Sequence, residues 1–305
     1  MNPDRPRPMR SGILLLDKPV GLSSNGALQR VRRLLGGIKA GHTGSLDPLA
    51  SGMLPICIGE ATKLAGEMLA GDKTYAFRLQ LGRRTATGDA EGAEIERCPV
   101  PALQAAGIEA ALARFRGEIR QVPPMYSALK RDGEPLYRLA RRGETVERAP
   151  RTLAIHHLEQ LAHGEDWIEL RVACSKGTYV RVLGEDIAAA LGSCGHLASL
   201  RREHVEPFGG RPMLTLEALE ERLAARPARA RTGCCRPMPP FPGCRPCAWT
   251  RPRRRPCGTA RASRRRRDAS AGPVRLYGPD GAFMGLGEPG APFRLKVRRL
   301  FAAES

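Results

Sequence analysis

The residues best suited to chemistry fall in one segment, Gly41-His42-Thr43-Gly44-Ser45-Leu46-Asp47-Pro48-Leu49-Ala50-Ser51-Gly52-Met53-Leu54-Pro55. Its glycines permit sharp turns, and a residue that precedes proline is held in an extended or turn conformation, so Asp47 can be presented as a rigid carboxylate. Alone, an Asp-Pro pair more often just starts a turn. Farther along, Tyr75, Tyr179 and Arg181 stand at the ends of regular patterns.

The elements that must position these groups are legible from periodicity. Tyr75, Phe77, Leu79 and Leu81 alternate with Ala76, Arg78 and Gln80, the period of a strand with one buried face, and Tyr75 sits near its entry. Ile168, Leu170, Val172 and Cys174 alternate in the same way into Ser175-Lys176-Gly177. Val180, Leu183, Ile187 and Leu191 then repeat at helical spacing, which predicts a strand-turn-helix with Tyr179 and Arg181 in the helix's first turn. Ser24 caps a further helix whose apolar residues Leu28, Val31, Leu34 and Leu35 share a face, and Gly36-Gly37 ends it. Residues 13–225 thus read as alternating strands and helices in one domain without an internal repeat.

The chain has 305 residues and 42% hydrophobic content, enough for a real core. No stretch reaches the roughly 18 to 20 apolar residues of a membrane span, and MNPDRPRPMR has no apolar signal core, so a soluble cytoplasmic protein is expected. Nine cysteines without a secretion signal read as reduced thiols. A net charge of +19 favours a polyanionic partner, nucleic acid first. Between Arg226 and Arg267, however, stand 14 arginines and no acid, which leaves only +5 for the rest of the chain.

The segment around Asp47 resembles the catalytic loop of the TruB family, and seven further blocks agree in order. They are Leu16-Asp17-Lys18-Pro19-Val20-Gly21-Leu22-Ser23-Ser24, Gly59-Glu60-Ala61-Thr62-Lys63, Asp72-Lys73-Thr74-Tyr75, the Gly82–Gly92 run, Pro124–Lys130, Cys174–Arg181 and Gly195–Arg202. Together they cover about residues 13–208. The resemblance implies an α+β protein with a mixed, largely antiparallel central sheet and flanking helices. The implied activity is isomerisation of one uridine in the TΨC loop of tRNA, position 55, to pseudouridine.

By that resemblance Asp47 is the nucleophile, attacking either the sugar or the uracil ring. Burial would raise its pKa, and Arg181 matches the family's active-site arginine. An opposite charge within about 4 to 6 Å lowers a carboxylate pKa by roughly 1 to 3 units. Tyr75 matches the active-site tyrosine, its ring stacked on the extracted base and its hydroxyl near the proton to be moved. Tyr179 and Leu200 line the same pocket, although tyrosines and leucines at such spacings are commonly plain core. His42 fills the place of the flipped uridine; no second histidine or cysteine near it has ligand spacing. Lys18 and Lys130 meet RNA phosphate or backbone, or are solvated surface lysines. No phosphate-cradling or dinucleotide loop is present, and the isomerisation needs neither electrons nor an activated water, so no cofactor and no metal are expected.

Three parts follow: a catalytic domain over 1–225, an Arg/Pro/Cys-rich segment over 226–271, and the remnant of a small all-β PUA-like RNA-binding domain over 272–305. The all-β reading rests on apolar residues such as Val274, Leu276 and Phe283 set among turn signals; the PUA-like identity is what the resemblance of 273–300, above all Gly281–Glu288, to the end of a PUA domain implies. The middle segment resembles no part of the family. Only Cys244-Arg245-Pro246-Cys247 has zinc-ligand spacing among Cys234, Cys235, Cys244, Cys247 and Cys257, and a disordered basic RNA-binding arm would suit the Arg/Pro content. The favoured reading is a translated wrong frame of GC-rich DNA: acids vanish, five of the nine cysteines gather, and family-like sequence returns near Gly272.

Two rival functions are a non-catalytic tRNA-binding or RNA-folding protein on the same scaffold, and a basic structural component of a ribonucleoprotein. Only catalysis needs Asp47 and Arg181 together. A stand-alone monomer acting on the T-arm is the expected form.

Overall fold

Apolar residues at every second position build the sheet at the centre of this computed structural model. It describes residues 11–225 and, beyond them, the strand segments 246–248, 260–261, 274–277, 283–290 and 294–300.

The chain enters through β1 (Gly12–Lys18), α1 (Ser24–Leu34), β2 (Ala40–His42) and β3 (Ala50–Ile58). The cap of α1 is Ser23, whose side chain accepts from the Gly26 N–H, rather than the expected Ser24. Ser24 is instead drawn inside, where its hydroxyl both donates to the Leu46 carbonyl (2.9 Å) and accepts from the Leu46 N–H (2.6 Å). Gly36 and Gly37 end the helix at φ of 75° and 81°, as the sequence predicts. A 3₁₀ turn over Gly59–Leu64 leads to α2 (Ala65–Leu69) and β4 (Lys73–Leu81), where burial alternates at every residue as the sequence predicts.

The hairpin of β5 (Arg83–Thr85) and β6 (Glu94–Arg97) precedes α3 (Ala105–Ala113) and β7 (Gly117–Gln121). A second small hairpin, β8 (Lys130–Arg131) with β9 (Glu134–Pro135), carries α4 (Leu136–Arg141). Next come β10 (Arg151–His163), β11 (Trp167–Cys174), α5 (Val180–Ala190), β12 (Gly195–Val205) and α6 (Leu216–Ala224).

The main sheet runs β1-β3-β12-β4-β11-β10-β7, with β2 paired to β3. Its pairings are antiparallel except for β12 on β3, so the expected mixed, largely antiparallel sheet is present. The largest core cluster joins α3 and α5 to β4, β10 and β11 through Leu79, Ile108, Leu158, Leu170 and Leu183. At the parallel seam Gly52 has φ +99° and faces Arg202; a Cβ there would lie 2.2 Å from the Arg202 carbonyl oxygen, so only glycine fits.

Five further strands, β13 (Pro246–Ala248), β14 (Ala260–Arg261), β15 (Val274–Tyr277), β16 (Phe283–Gly290) and β17 (Arg294–Leu300), form a second sheet in the order β13-β15-β16-β17-β14. Two of them lie within the Arg/Pro/Cys-rich segment. Leu286 is buried in a cluster with Met53, Cys57, Met68 and Phe208. The cysteine side chains of the zinc reading lie outside the described residues.

The cysteines need one correction. Cys98 and Cys194 are joined as a disulfide, with Cα atoms 5.6 Å apart, where reduced thiols were expected. Gly82 brings them together: its N–H donates to the Cys194 carbonyl (2.9 Å) and its carbonyl accepts from the Cys98 N–H (3.0 Å). Cys57 and Cys174 are free and buried, and burial pushes their thiols up to about 12 and about 11. Among the described residues no helix is long and apolar enough to cross a membrane.

Candidate active site

Asp47 lies on the loop between β2 and β3, and a set of backbone ties fixes that loop. Thr43 N–H donates to the Pro55 carbonyl (3.0 Å), Ala50 N–H to the Asp47 carbonyl (3.1 Å), and Gly21 N–H to the Pro48 carbonyl (2.8 Å). Ser24 holds Leu46 by both its backbone groups. Backbone freedom is thereby removed one residue before the carboxylate, so Asp47 is presented from a fixed position.

The carboxylate meets Arg181, whose Nε stands 3.0 Å from an Asp47 oxygen. Arg181 follows Val180 at the start of α5, while Tyr179 is the residue before the helix rather than within its first turn. The guanidinium is buried and its remaining nitrogens donate to the Thr87 and Tyr126 carbonyls, each at 2.7 Å. A second carboxylate, Asp89, lies 3.9 Å from the same Nε. Asp89 is buried and accepts from the Thr87 hydroxyl (2.5 Å) and the Glu91 N–H (3.1 Å). The Asp47 side chain keeps 42% of its surface exposed against 5% for Asp89, so Asp47 alone opens toward a substrate.

The electrostatics depart from the sequence expectation. Arg181 and Lys18 pull the Asp47 carboxyl down, but burial, joined by the charge of Asp89, outweighs them and holds it above the ordinary value of 3.8. Glu91 is raised for the same reasons, burial first and then the charges of Asp89 and Asp47. If the ionised carboxylate is the working form, kcat should rise with pH through a midpoint above 3.8. Asp89→Asn removes a repelling charge, so it should move that acid limb to lower pH. A pH–rate profile of both proteins checks this, and a limb that stays put in the variant would deny Asp89 its electrostatic part.

Lys18 is corrected most sharply. It is fully buried, and its ammonium donates to the Pro19 carbonyl (2.8 Å), the Leu22 carbonyl (2.6 Å) and the Pro48 carbonyl (3.5 Å). It braces the residue after Asp47 instead of reaching an RNA phosphate, and burial lowers its pKa to about 8. Lys130 is exposed on β8, at the rim of a cavity of about 260 Å³ lined also by Pro123, Leu129 and Arg151. That cavity shares no lining residue with the Asp47 cluster.

Tyr75 is buried at the start of β4, in the same cluster as Leu46, Ala50 and Leu200. Burial raises the pKa of its hydroxyl, against the pull of Arg202. Leu200 lies on β12 opposite Ala50 of β3 and Phe77 of β4, and is buried. His42 ends β2 with its Nδ1 buried and unpartnered; burial and the charge of Arg202 lower its pKa, so the ring is neutral at pH 7.

Several contributors escape sequence reasoning. Gln121 grips Tyr179 at both backbone groups: its carbonyl accepts the Tyr179 N–H (2.8 Å) and its amide donates to the Tyr179 carbonyl (3.1 Å). Asp89 reads in sequence as one more turn residue beside Gly88. Arg202 reads as surface, yet it is 1% exposed. Among the described residues no three His, Cys, Asp or Glu side chains gather to hold a metal.

Two solved structures share this architecture: that titled a Cbf5-Nop10-Gar1 complex, at TM-score 0.67 and 21% identity over 99% of this chain and 91% of that one, and that of an H/ACA RNP bound to a substrate RNA containing 2'-deoxyuridine, at TM-score 0.66 and 19% identity over 100% and 92%. At such identity they establish that the fold is shared, and nothing beyond the fold. A family model described as TruB family pseudouridylate synthase (N terminal domain) matches residues 32–180. Relatives named tRNA pseudouridine synthase B include one from Stutzerimonas stutzeri, 48% identical over 96% of both chains, and one from Burkholderia lata, 58% identical over 72% of this chain and 68% of that one. The chain belongs to the TruB family of pseudouridylate synthases.

Proposed function

We propose that the protein converts uridine to pseudouridine in tRNA, at position 55 of the TΨC loop, with Asp47 as nucleophile. Relatives alike over nearly the whole chain carry the name tRNA pseudouridine synthase B, which supports an isomerase acting on tRNA. The single observation behind the catalytic assignment is the Asp47–Arg181 pair at 3.0 Å, in which the carboxylate is open and the cation closed in.

The reaction moves the uracil from a nitrogen to a carbon linkage on the same ribose. The target base must leave its stack, at a cost of a few kcal/mol, before Asp47 can reach it. Asp47 then attacks the sugar or the ring; Arg181, held by two carbonyls, keeps the carboxylate aimed and favours its charged form. Tyr75 stacks on the detached uracil while it turns, and its raised pKa keeps the hydroxyl protonated at neutral pH. The bond from N1 to the ribose breaks as the uracil detaches, carbon 5 bonds to the same ribose carbon with release of Asp47, and carbon 5 then gives up its proton to solvent while N1 takes one up. Leu200 and Tyr179 close the pocket, His42 fills the gap left in the RNA, and Lys130 meets its backbone.

Residues 272–305 are read as the PUA-like part that grips tRNA away from the reacting base, residues 1–225 as the catalytic domain and 226–271 as the atypical segment between them. The test of the function is tritium release from a T-arm transcript carrying [5-³H]uridine. Release is expected from the transcript with uridine at position 55 and not from one with cytidine there. Equal release from both would remove the positional assignment, and none from either would remove the activity.

A further inference from the structure

Arg202 is the largest side chain among those fully buried, and no carboxylate of the described residues pairs with it. Burying a charge without a counter-ion is costly, and an apolar residue of similar volume would fill the space at less expense. What the guanidinium touches therefore decides why it is there. Its Nε donates to the Met53 carbonyl (2.7 Å), Nη2 to the Gly44 carbonyl (3.0 Å) and Nη1 to the Ser45 carbonyl (3.4 Å).

Two of these carbonyls, Gly44 and Ser45, lie on the loop just before Asp47, and the third, Met53, lies on β3 just after it. Gly44 adopts φ +79°, and a Cβ placed there would sit 3.5 Å from Nη1, so the loop backbone rests on the guanidinium. On its other side Arg202 is the register partner of Tyr75 across β12 and β4, so the two side chains share a face of the sheet and the guanidinium charge pulls on the Tyr75 hydroxyl. One planar, rigid group thus spans the nucleophile's loop and the tyrosine. A lysine has no such fork and cannot serve three carbonyls in fixed directions.

We infer that Arg202 is a positioning residue, which sets the Asp47 loop and the Tyr75 hydroxyl in a single frame without touching the substrate. The inference rests on the proposed roles of Asp47 and Tyr75. A misplacement of about 1 Å costs ~10²-fold in rate, while binding made elsewhere is left alone.

The experiment compares wild type, Arg202→Lys, Tyr75→Phe and the double variant in single-turnover tritium release from the T-arm transcript. The competent fraction of each is counted by stoichiometric titration with a fluorescent transcript. Arg202→Lys is expected to lose ~10²-fold in kcat with KM within about threefold, and the double variant to be no slower than the slower single, because the two residues act as a unit. A lysine variant within about threefold of wild type in kcat, or a double variant whose loss is the product of the single losses, would overturn the inference. Should Arg202→Lys not be recovered folded, ¹⁵N NMR of the Arg202 guanidinium in Tyr75→Phe decides: shifted signals support the frame and unmoved signals overturn it. Inactive wild-type protein would instead count against the proposed function.

Discussion

Asp47→Asn is expected to lower tritium release by ~10³-fold or more while tRNA binding stays within several-fold, because the amide keeps the shape and removes the nucleophilic charge. The surroundings make the substitution clean. Asp47 is half open, so no large cavity results, and the carboxylate is already held above its ordinary pKa by burial and by Asp89. Asparagine relieves that repulsion as it gives up the ion pair with Arg181, so stability should change by no more than about 1 kcal/mol. Filter binding of a T-arm transcript and a urea titration accompany the rate measurement. Turnover at the wild-type rate would refute the assignment of Asp47.

Arg181 is expected to be the more damaging position, since it serves rate and fold together. Arg181→Met leaves Asp89 buried without a cation and strips the Thr87 and Tyr126 carbonyls of their donors. Removing one partner of a buried pair costs about 3–5 kcal/mol, which should appear as a lower urea midpoint at unchanged slope. Arg181→Lys keeps the charge without the fork, so it should recover much of that stability but little of the rate. Wild-type turnover in the lysine variant would mean that charge alone suffices there.

The strands and helices were legible because each has one buried face. Tyr75 through Leu81 and Trp167 through Cys174 alternate in burial residue by residue. The meeting of Asp47 with Arg181 was legible only through resemblance, for nothing local ties residues so far apart in the chain. Lys18 was misjudged and Arg202 passed over for one physical reason: charged side chains read as solvated unless something inside can receive them, and here the receivers are backbone carbonyls that no sequence pattern displays. A signal for Arg202 did exist. It lies two residues after Leu200 on the same strand, and so on the same face. The Cys98–Cys194 pairing depends on Gly82, which lies in neither cysteine's neighbourhood along the chain.

The middle place of β12 in the main sheet bears on how the protein comes into being. Tyr75 and the Asp47 loop flank a gap between β3 and β4 that only β12, made more than a hundred residues later, can fill. Long-range pairing of this kind delays folding, because the chain must close a large loop before any contact rewards it. A nascent chain is therefore expected to bring the Asp47 loop and Tyr75 together only after residues near 205 have been made.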